Sequence, residues 1–206
     1  MGFLREFIRN PRQTGSIAAS SPSLVRRILN GLPLASARTV VELGAGTGAF
    51  TAALARAVPA SATVVAIEVN PTFAAQLRER FTGSPVRVAN RSAAELSQIL
   101  AEHKIKAVDV VLSALPWTLM TSDDQRVTLD AIAAALAPDA PFVTLTCLHQ
   151  TLLPSGRRFH ELLTNRFTTV QRGPVVWTAM PPMTAYRCFH PIRHRPTEIR
   201  VNQARH

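Results

Sequence analysis

The chain has 206 residues, with 23 lysines and arginines against 13 acidic residues, giving a formal net charge of +10. This length suits one domain with a substantial core, and a composition of 47% apolar and 17% charged residues excludes a disordered chain. No apolar run reaches the roughly 18 residues of a spanning helix, and arginines interrupt residues 1–12, so we expect neither a membrane span nor a secretory signal. Cys147 and Cys188 lack metal-ligand or disulfide-framework spacing, which predicts a cytoplasmic protein without a metal site.

The positive charge is concentrated at the two ends of the chain. Residues 1–35 carry a net charge of +4 and residues 157–206 carry +7, whereas residues 36–156 carry −1. Arginine outnumbers lysine 21 to 2 and alanine is abundant, as GC-rich coding produces. Such a compositional bias would account for the excess of positive charge but not for its clustering at the ends. Basic ends favour an anionic partner: a membrane surface, a nucleic acid or an acidic metabolite.

Short apolar runs alternate with helix-forming stretches along the chain. The predicted strands are 39–43, 63–69, 86–88, 108–112 and 141–147, followed by β-rich runs at 168–171, 175–178 and 185–189. The predicted helices are 51–58, 71–81, 93–103, 123–136 and 156–166. This alternation predicts an α/β fold, a mostly parallel, doubly wound sheet with an antiparallel closing strand. We expect N-terminal amphipathic or lid helices in residues 1–35, the α/β domain in 36–190 and a basic tail in 191–206.

A glycine-rich loop follows the first predicted strand. Gly44 and Gly46 permit backbone angles and a close approach that a side chain would block, and Gly48 should let the next helix pack tightly on the strand. Glu68 lies 20 residues beyond Gly48, at the end of the second strand, where an acid can accept both hydroxyls of a ribose. Glu42, directly before the loop, would repel a pyrophosphate but can pair with the ammonium of an amino acid.

The run Glu42-Leu-Gly-Ala-Gly-Thr-Gly48 resembles motif I of the class I S-adenosylmethionine-dependent methyltransferases. The resemblance implies a Rossmann-like fold and S-adenosylmethionine as the cofactor, with Gly44 to Gly48 around the methionyl part and Glu68 on the ribose. Many of these enzymes have an aspartate after the third strand that accepts from the adenine amine, and Ser92 stands in that place here. The residues that the resemblance implies for cofactor binding are Glu42, Gly44, Ala45, Gly46, Gly48, Glu68, Val69, Arg91, Ser92 and Ser113.

The loop after the fourth strand faces the transferred methyl group in that family. Here it reads Ser113-Ala-Leu-Pro-Trp117, which is similar to the Asn-x-Pro-aromatic motif of RNA adenine dimethyltransferases. The asparagine that accepts from the target amine is replaced by Ala114, and losing such a contact costs about 1–3 kcal/mol. RNA is therefore an unfavoured substrate.

Five short motifs, in this order, resemble the bacterial phospholipid N-methyltransferases over nearly the whole chain. They are Asn10-Pro-Arg-Gln-x-Gly15, Ala19-Ser-Ser-Pro22, the glycine loop, Ser113-x-Leu-Pro116 and Pro181-Pro182-x-x-x-Tyr186. The resemblance implies N-methylation of phosphatidylethanolamine by a peripheral protein at the inner face of the membrane. A small-molecule acceptor is the alternative. The candidate catalytic or substrate-facing residues are Ser113, Leu115, Trp117 and Tyr186, with Trp117 against the cationic product and Tyr186 in either the pocket or the core.

An amphipathic helix is predicted at the N-terminus. At 100° per residue Phe3, Leu4, Phe7 and Ile8 share one face, and three arginines lie on the opposite face. Such a helix can lie in the headgroup plane of an anionic membrane, or can pack on the sheet as a lid.

Overall fold

The structure is a computed structural model that describes residues 21–192. The helix predicted over residues 3–12, the motif at residues 10–15 and residues 193–206 of the predicted tail (191–206) lie outside the described residues. The first residue of that predicted tail, Pro191, ends the last strand of the structure. None of the helices between residues 21 and 192 is long and apolar enough to cross a membrane.

Strands and helices alternate through most of the described chain. The strands are β1 (Thr39–Leu43), β2 (Thr63–Ile67), β3 (Val86–Ala89), β4 (Val110–Ser113), β5 (Phe142–Cys147), β6 (Phe167–Arg172) and β7 (Met183–Pro191). The helices are α1 (Pro22–Leu29), α2 (Ala49–Ala57), α3 (Pro71–Arg80), α4 (Leu96–Glu102), α5 (Ser122–Ala135) and α6 (Pro154–Thr164). Each of the five helices predicted between residues 51 and 166, and each of the five predicted parallel strands, is present within a few residues of its predicted bounds.

The strands form one sheet in the order β3-β2-β1-β4-β5-β7-β6. All neighbours from β3 to β5 are parallel, and β7 is antiparallel to both β5 and β6. This confirms the mostly parallel sheet with an antiparallel closing strand. The order of strands reverses between β1 and β4, so the loops that follow these two strands diverge and leave a crevice at the carboxyl edge of the sheet. Such a crevice is the usual ligand position in sheets of this kind.

The core consists of two apolar layers, one on each face of the sheet. Alternate residues of the buried strands point to opposite faces, so Val41 and Val40 lie in different layers. Helices α4, α5 and α6 cover one layer, and α1, α2 and α3 cover the other. Helix α1 begins at Ser21, whose hydroxyl accepts from the backbone N–H of Leu24, and it packs beside α2.

Two predicted elements differ from the structure. Residues 175–178 do not form a strand, and only Val176 bridges to Met183. Pro174 has no N–H for a ladder, so β6 ends at Arg172 and a loop leads to β7. The helix predicted from Ala93 begins with a 3-10 turn, Ala93–Glu95, which the Ser92 and Glu95 side chains cap reciprocally.

Candidate functional site

The glycine loop after β1 requires left-handed backbone at three positions. Gly44, Gly46 and Gly48 have φ values of +78°, +54° and +82°. A Cβ on Gly44 would lie 3.2 Å from Cδ2 of Leu115, whereas one on Gly46 would have open space around it. A Cβ on Gly48 would lie 2.6 Å from Cδ2 of Leu77. Gly48 therefore allows close packing against α3 rather than against the strand, which corrects the sequence-based expectation.

Glu68 fastens the glycine loop to the next loop along the sheet edge. Its two carboxylate oxygens accept hydrogen bonds from the backbone N–H groups of Gly46 and Asn70, both at 2.8 Å. The side chain is 7% exposed, and Val69 beside it is 43% exposed. The side-chain amide of Asn90 donates to the carbonyls of Glu68 (2.9 Å) and Val69 (3.1 Å) and so joins the ends of β2 and β3. This role of Asn90 was not predicted from the sequence, although the residue directly follows a predicted strand.

Glu42 is a buried carboxyl group at the end of β1. It is 1% exposed and accepts a 2.6 Å hydrogen bond from the hydroxyl of Thr51 on α2. Burial raises the pKa of Glu42 to about 8; the Thr51 hydrogen bond opposes this rise, and the nearby charge of Glu68 adds to it. No cationic side chain among residues 21–192 forms an ion pair with Glu42. The carboxyl group is thus suited to a ligand that brings its own positive charge.

Arg91 and Ser92, both predicted to bind the cofactor, interact with the helical segment that follows them. The guanidinium of Arg91 donates to Glu95, Gln98 and Glu102 at 2.6–2.9 Å, so it spans α4 as far as its last residue. The hydroxyl of Ser92 accepts from a backbone N–H in a capping box with Glu95. These contacts give both side chains a structural role, and their contact with the cofactor stays a prediction.

Ser113 and Trp117 form a hydrogen-bonded pair inside the core. The Ser113 hydroxyl accepts from the backbone N–H of Leu115 (3.3 Å) and from Nε1 of Trp117 (3.1 Å), which also donates to the hydroxyl of Thr144 (2.7 Å). Trp117 is 3% exposed, and its ring stacks on Phe159 with centroids 4.9 Å apart. The indole therefore supports the loop from inside the core. It does not lie on the open face of the loop, where it was expected to face the cationic product.

Tyr186 also belongs to the core. It is 5% exposed on β7, and its ring lies against those of Phe159 and His160. Burial raises the pKa of its hydroxyl, so the side chain stays neutral. Of the four substrate-facing candidates, only Leu115 is part-exposed, beside Gly44.

The site has the features that the implied cofactor requires. The open space over Gly46 admits a ligand against the backbone, and Val69 offers an apolar surface beside the Glu68 carboxylate. Glu42 supplies a buried carboxyl group directly before the same loop. The flat face of an adenine matches Val69, a ribose matches Glu68 and an ammonium group matches Glu42, so the residues present fit S-adenosylmethionine.

Comparisons with known proteins agree with this chemistry. Residues 40–139 match the model of a methyltransferase domain family. An ornithine lipid N-methyltransferase of Singulisphaera acidiphila is 34% identical over 187 residues, which cover 90% of this chain and 93% of that protein. A ribosomal RNA small subunit methyltransferase A of Corynebacterium glutamicum is 34% identical over 89 residues, but the match covers only 43% of this chain and 29% of that protein.

Solved structures share the fold at low identity. The O-methyltransferase of Bacillus cereus in complex with SAH has a TM-score of 0.65 and 16% identity, covering 89% of each chain. The N-methyltransferase NodS of Bradyrhizobium japonicum in complex with S-adenosyl-L-homocysteine has a TM-score of 0.61 and 19% identity, covering 82% of this chain and 85% of that one. At these identities the likeness establishes the fold alone.

Proposed function

The chain belongs to the class I S-adenosylmethionine-dependent methyltransferases, and on that premise we propose that it N-methylates the amine of a membrane lipid headgroup. The observation that carries the proposal is the similarity to an ornithine lipid N-methyltransferase, which extends over 90% of the chain and is not limited to the cofactor-binding half. The amine of ornithine lipid is the first acceptor to test, and the amine of phosphatidylethanolamine is the second.

S-adenosylmethionine, when bound, supplies a methyl group activated on a sulfonium. In this proposal the loop from Gly44 to Gly48 accommodates its methionyl part and Glu68 accepts from the ribose hydroxyls. Val69 covers one face of the adenine, and Glu42 pairs with the ammonium. The support is the open space at Gly46, the exposure of Val69 and the burial of Glu42.

The acceptor amine must be neutral when it attacks. Ala114, Leu115 and Pro116 are part-exposed apolar residues that follow β4, and Leu115 lies beside the glycine loop. Desolvation by apolar groups lowers the pKa of an amine, so an amine that enters there releases its proton more readily. Proximity and orientation then account for most of the rate enhancement. In this mechanism Trp117 acts indirectly, by holding the loop through Ser113 and Thr144.

RNA is the competing acceptor, because a ribosomal RNA methyltransferase matches part of the chain. The backbone N–H of Ala114 donates to the carbonyl of Leu43, and its methyl side chain cannot accept from an adenine amine. We therefore propose that RNA is not a substrate.

The test is methyl transfer from labelled S-adenosylmethionine to four acceptors in parallel: ornithine lipid, phosphatidylethanolamine, total RNA and a soluble metabolite extract. We expect label in a lipid and background label in RNA. Label in the soluble extract, with none in either lipid, would replace the proposal by the small-molecule alternative. The control is Gly46→Arg, which fills the open space above the loop and should abolish all transfer.

A further inference from the structure

An open groove lies between α1 and the loop that connects β6 to β7. Its volume is about 1190 Å³. One wall of the groove is the exposed face of α1, and the other wall is formed by residues 171–178. The hydroxyls of Ser23 and Thr178, 3.4 Å apart, join the two walls. The groove is therefore built from parts of the chain that are distant in sequence.

The groove is lined by arginines and by no acidic residue. They are Arg26, Arg27, Arg172 and Arg187. Arg187 donates to the carbonyls of Ile28 (3.1 Å) and Asn30 (2.7 Å), so it holds the end of α1 on β7. The other three arginines are exposed, and none forms an ion pair with a carboxylate of residues 21–192. Arg172 pairs with Tyr186 in the β6–β7 ladder, so its side chain leaves the sheet on the face opposite to α1, whereas Arg26 and Arg27 lie on α1 itself. The two unpaired guanidinium groups of α1 favour an anion with several oxygens, such as a phosphate.

Large exposed apolar side chains lie in and beside this basic groove. Trp177 lines the groove and is 69% exposed, and Met180 in the same loop is 79% exposed. The backbone N–H of Leu148 donates to the carbonyl of Pro182, which joins this loop to the turn that carries the exposed Leu152. Exposed indole and aliphatic groups beside arginines are typical of a surface that meets the interface of a bilayer. The combination favours a lipid phosphate over the backbone of a nucleic acid.

The groove opens at the same edge of the sheet as the glycine loop. Strand β6 runs parallel to β5 and β1, because β7 is antiparallel to both of its neighbours. Arg172 therefore lies at the carboxyl end of β6, as Gly44 follows the carboxyl end of β1. A membrane that contacts the groove would lie on the side where the methyl acceptor enters.

We propose that this groove docks the enzyme on an anionic bilayer by binding a phospholipid phosphate at Arg26 and Arg27, with Trp177 inserted at the headgroup level. The choice of a bilayer rests on the proposed lipid substrate. The bound phospholipid is a docking ligand beside the terminal strand β6, several strands away from the glycine loop along the same edge of the sheet, and it is not the methyl acceptor.

The test is sedimentation of the full chain with phosphatidylglycerol–phosphatidylcholine vesicles. Replacing Arg26 and Arg27 by glutamine should lower partitioning roughly 25-fold, from roughly fivefold per arginine. The matched control replaces two exposed arginines that do not line the groove, Arg38 and Arg78, by glutamine. It should lower partitioning less than about threefold, because charge acts only over about one Debye length. Equal sedimentation of the two double variants would overturn the proposal.

A second measurement uses the two tryptophans of the chain. Trp117 is buried and Trp177 is exposed, so a blue shift of emission on adding anionic vesicles should come from Trp177 and be absent in Trp177→Ser. A blue shift that persists in Trp177→Ser would contradict insertion of this side chain.

The outcomes separate docking from the proposed function. Methylation of lipid dispersed in detergent should be unchanged in the groove variant, because the groove lies outside the transfer site. If wild-type protein docks through the groove but methylates no lipid, the proposed function fails and docking stands. If it methylates lipid while the groove variant sediments like wild type, docking fails and the function stands. Loss of RNA-oligonucleotide binding without loss of vesicle binding in the groove variant would identify a nucleic-acid surface and overturn the proposal.

Discussion

Glu42 combines near-complete burial with a single neutral hydrogen-bond partner, the hydroxyl of Thr51. If it pairs with the ammonium of the cofactor, Glu42→Gln should weaken S-adenosylmethionine at least tenfold and leave adenosine nearly unchanged, because adenosine has no ammonium and a buried charge pair contributes more than about 1.4 kcal/mol. Titration calorimetry with the two ligands measures both affinities. Glu68→Ala is the matched control, because its loss of the ribose and loop contacts should weaken both ligands together.

Equal losses for the two ligands in Glu42→Gln would mean that this side chain serves the fold and not the cofactor. The raised pKa of Glu42 provides a second test of the same pairing. Since the free protein holds a proton on Glu42 below about pH 8, binding of a cation should release it. Calorimetry at pH 7 in two buffers of different ionisation enthalpy should therefore detect proton release in wild type and none in Glu42→Gln.

Glu42 also predicts how stability varies with pH. Its pKa is about 8 in the folded protein against an ordinary value of 4.5. Between these values the unfolded chain has released a proton that the folded chain keeps, so this contribution to stability is complete below pH 4.5 and is lost as the pH rises to 8. The loss is at most about 1.4 kcal/mol per pH unit. The difference in unfolding free energy between wild type and Glu42→Gln, measured by denaturant titration from pH 5 to 8, should shift in favour of the variant. Parallel pH profiles would contradict the buried, protonated state.

At the residue scale, sequence motifs located the loop but not the direction of each side chain. Glu42, Glu68 and the glycines were predictable because a strand, a glycine loop and a spaced acid form a local pattern. Trp117 was not, because its burial depends on Phe159 and Thr144, which are distant in sequence. The family motif fixes an aromatic at that place, but its orientation is set by those tertiary contacts.

At the scale of elements, Gly48 lies at the start of α2 and packs closely against α3. Gly48→Ala should lower the free energy of unfolding by about 2–4 kcal/mol, because the new Cβ meets Leu77 at 2.6 Å and the φ of +82° strains any side chain. Gly46→Ala should lower it by only about 1–2 kcal/mol, because that Cβ meets open space and only the backbone is strained. Denaturant unfolding without ligand measures both. An equal effect of the two changes would mean that packing against α3 is not what requires Gly48.

Helices and central strands were predictable from hydrophobic pattern, whereas the β6–β7 connection was not. Residues 175–178 have the β-branched composition of a strand, but Pro174 has no N–H for a ladder and only Val176 pairs. The β-rich composition reports a preference for extended backbone, and the pairing partner decides whether a strand forms. The 3-10 turn before α4 similarly depends on the capping box between Ser92 and Glu95.

For the whole molecule, the distribution of charge along the chain indicates an anionic partner. The basic excess of residues 1–35 and 157–206 predicts the sign of that partner, and the groove beside α1 carries the unpaired Arg26 and Arg27 next to the exposed Trp177. Arg26 and Trp177 are 151 positions apart in sequence, so their common groove could not be predicted from the chain alone. The sheet brings this groove and the glycine loop to one edge. Docking and methyl transfer would therefore take place on the same side of the molecule.

The most direct test of lipid amine methylation is mass spectrometry of lipids after incubation with methyl-deuterated S-adenosylmethionine. Vesicles should contain ornithine lipid and phosphatidylethanolamine, with Gly46→Arg as the inactive control. We expect the deuterated methyl on the amine-bearing headgroup fragment of at least one of these lipids, and on neither in the control. Unlabelled headgroups, while the same preparation methylates RNA or a soluble amine, would contradict the account.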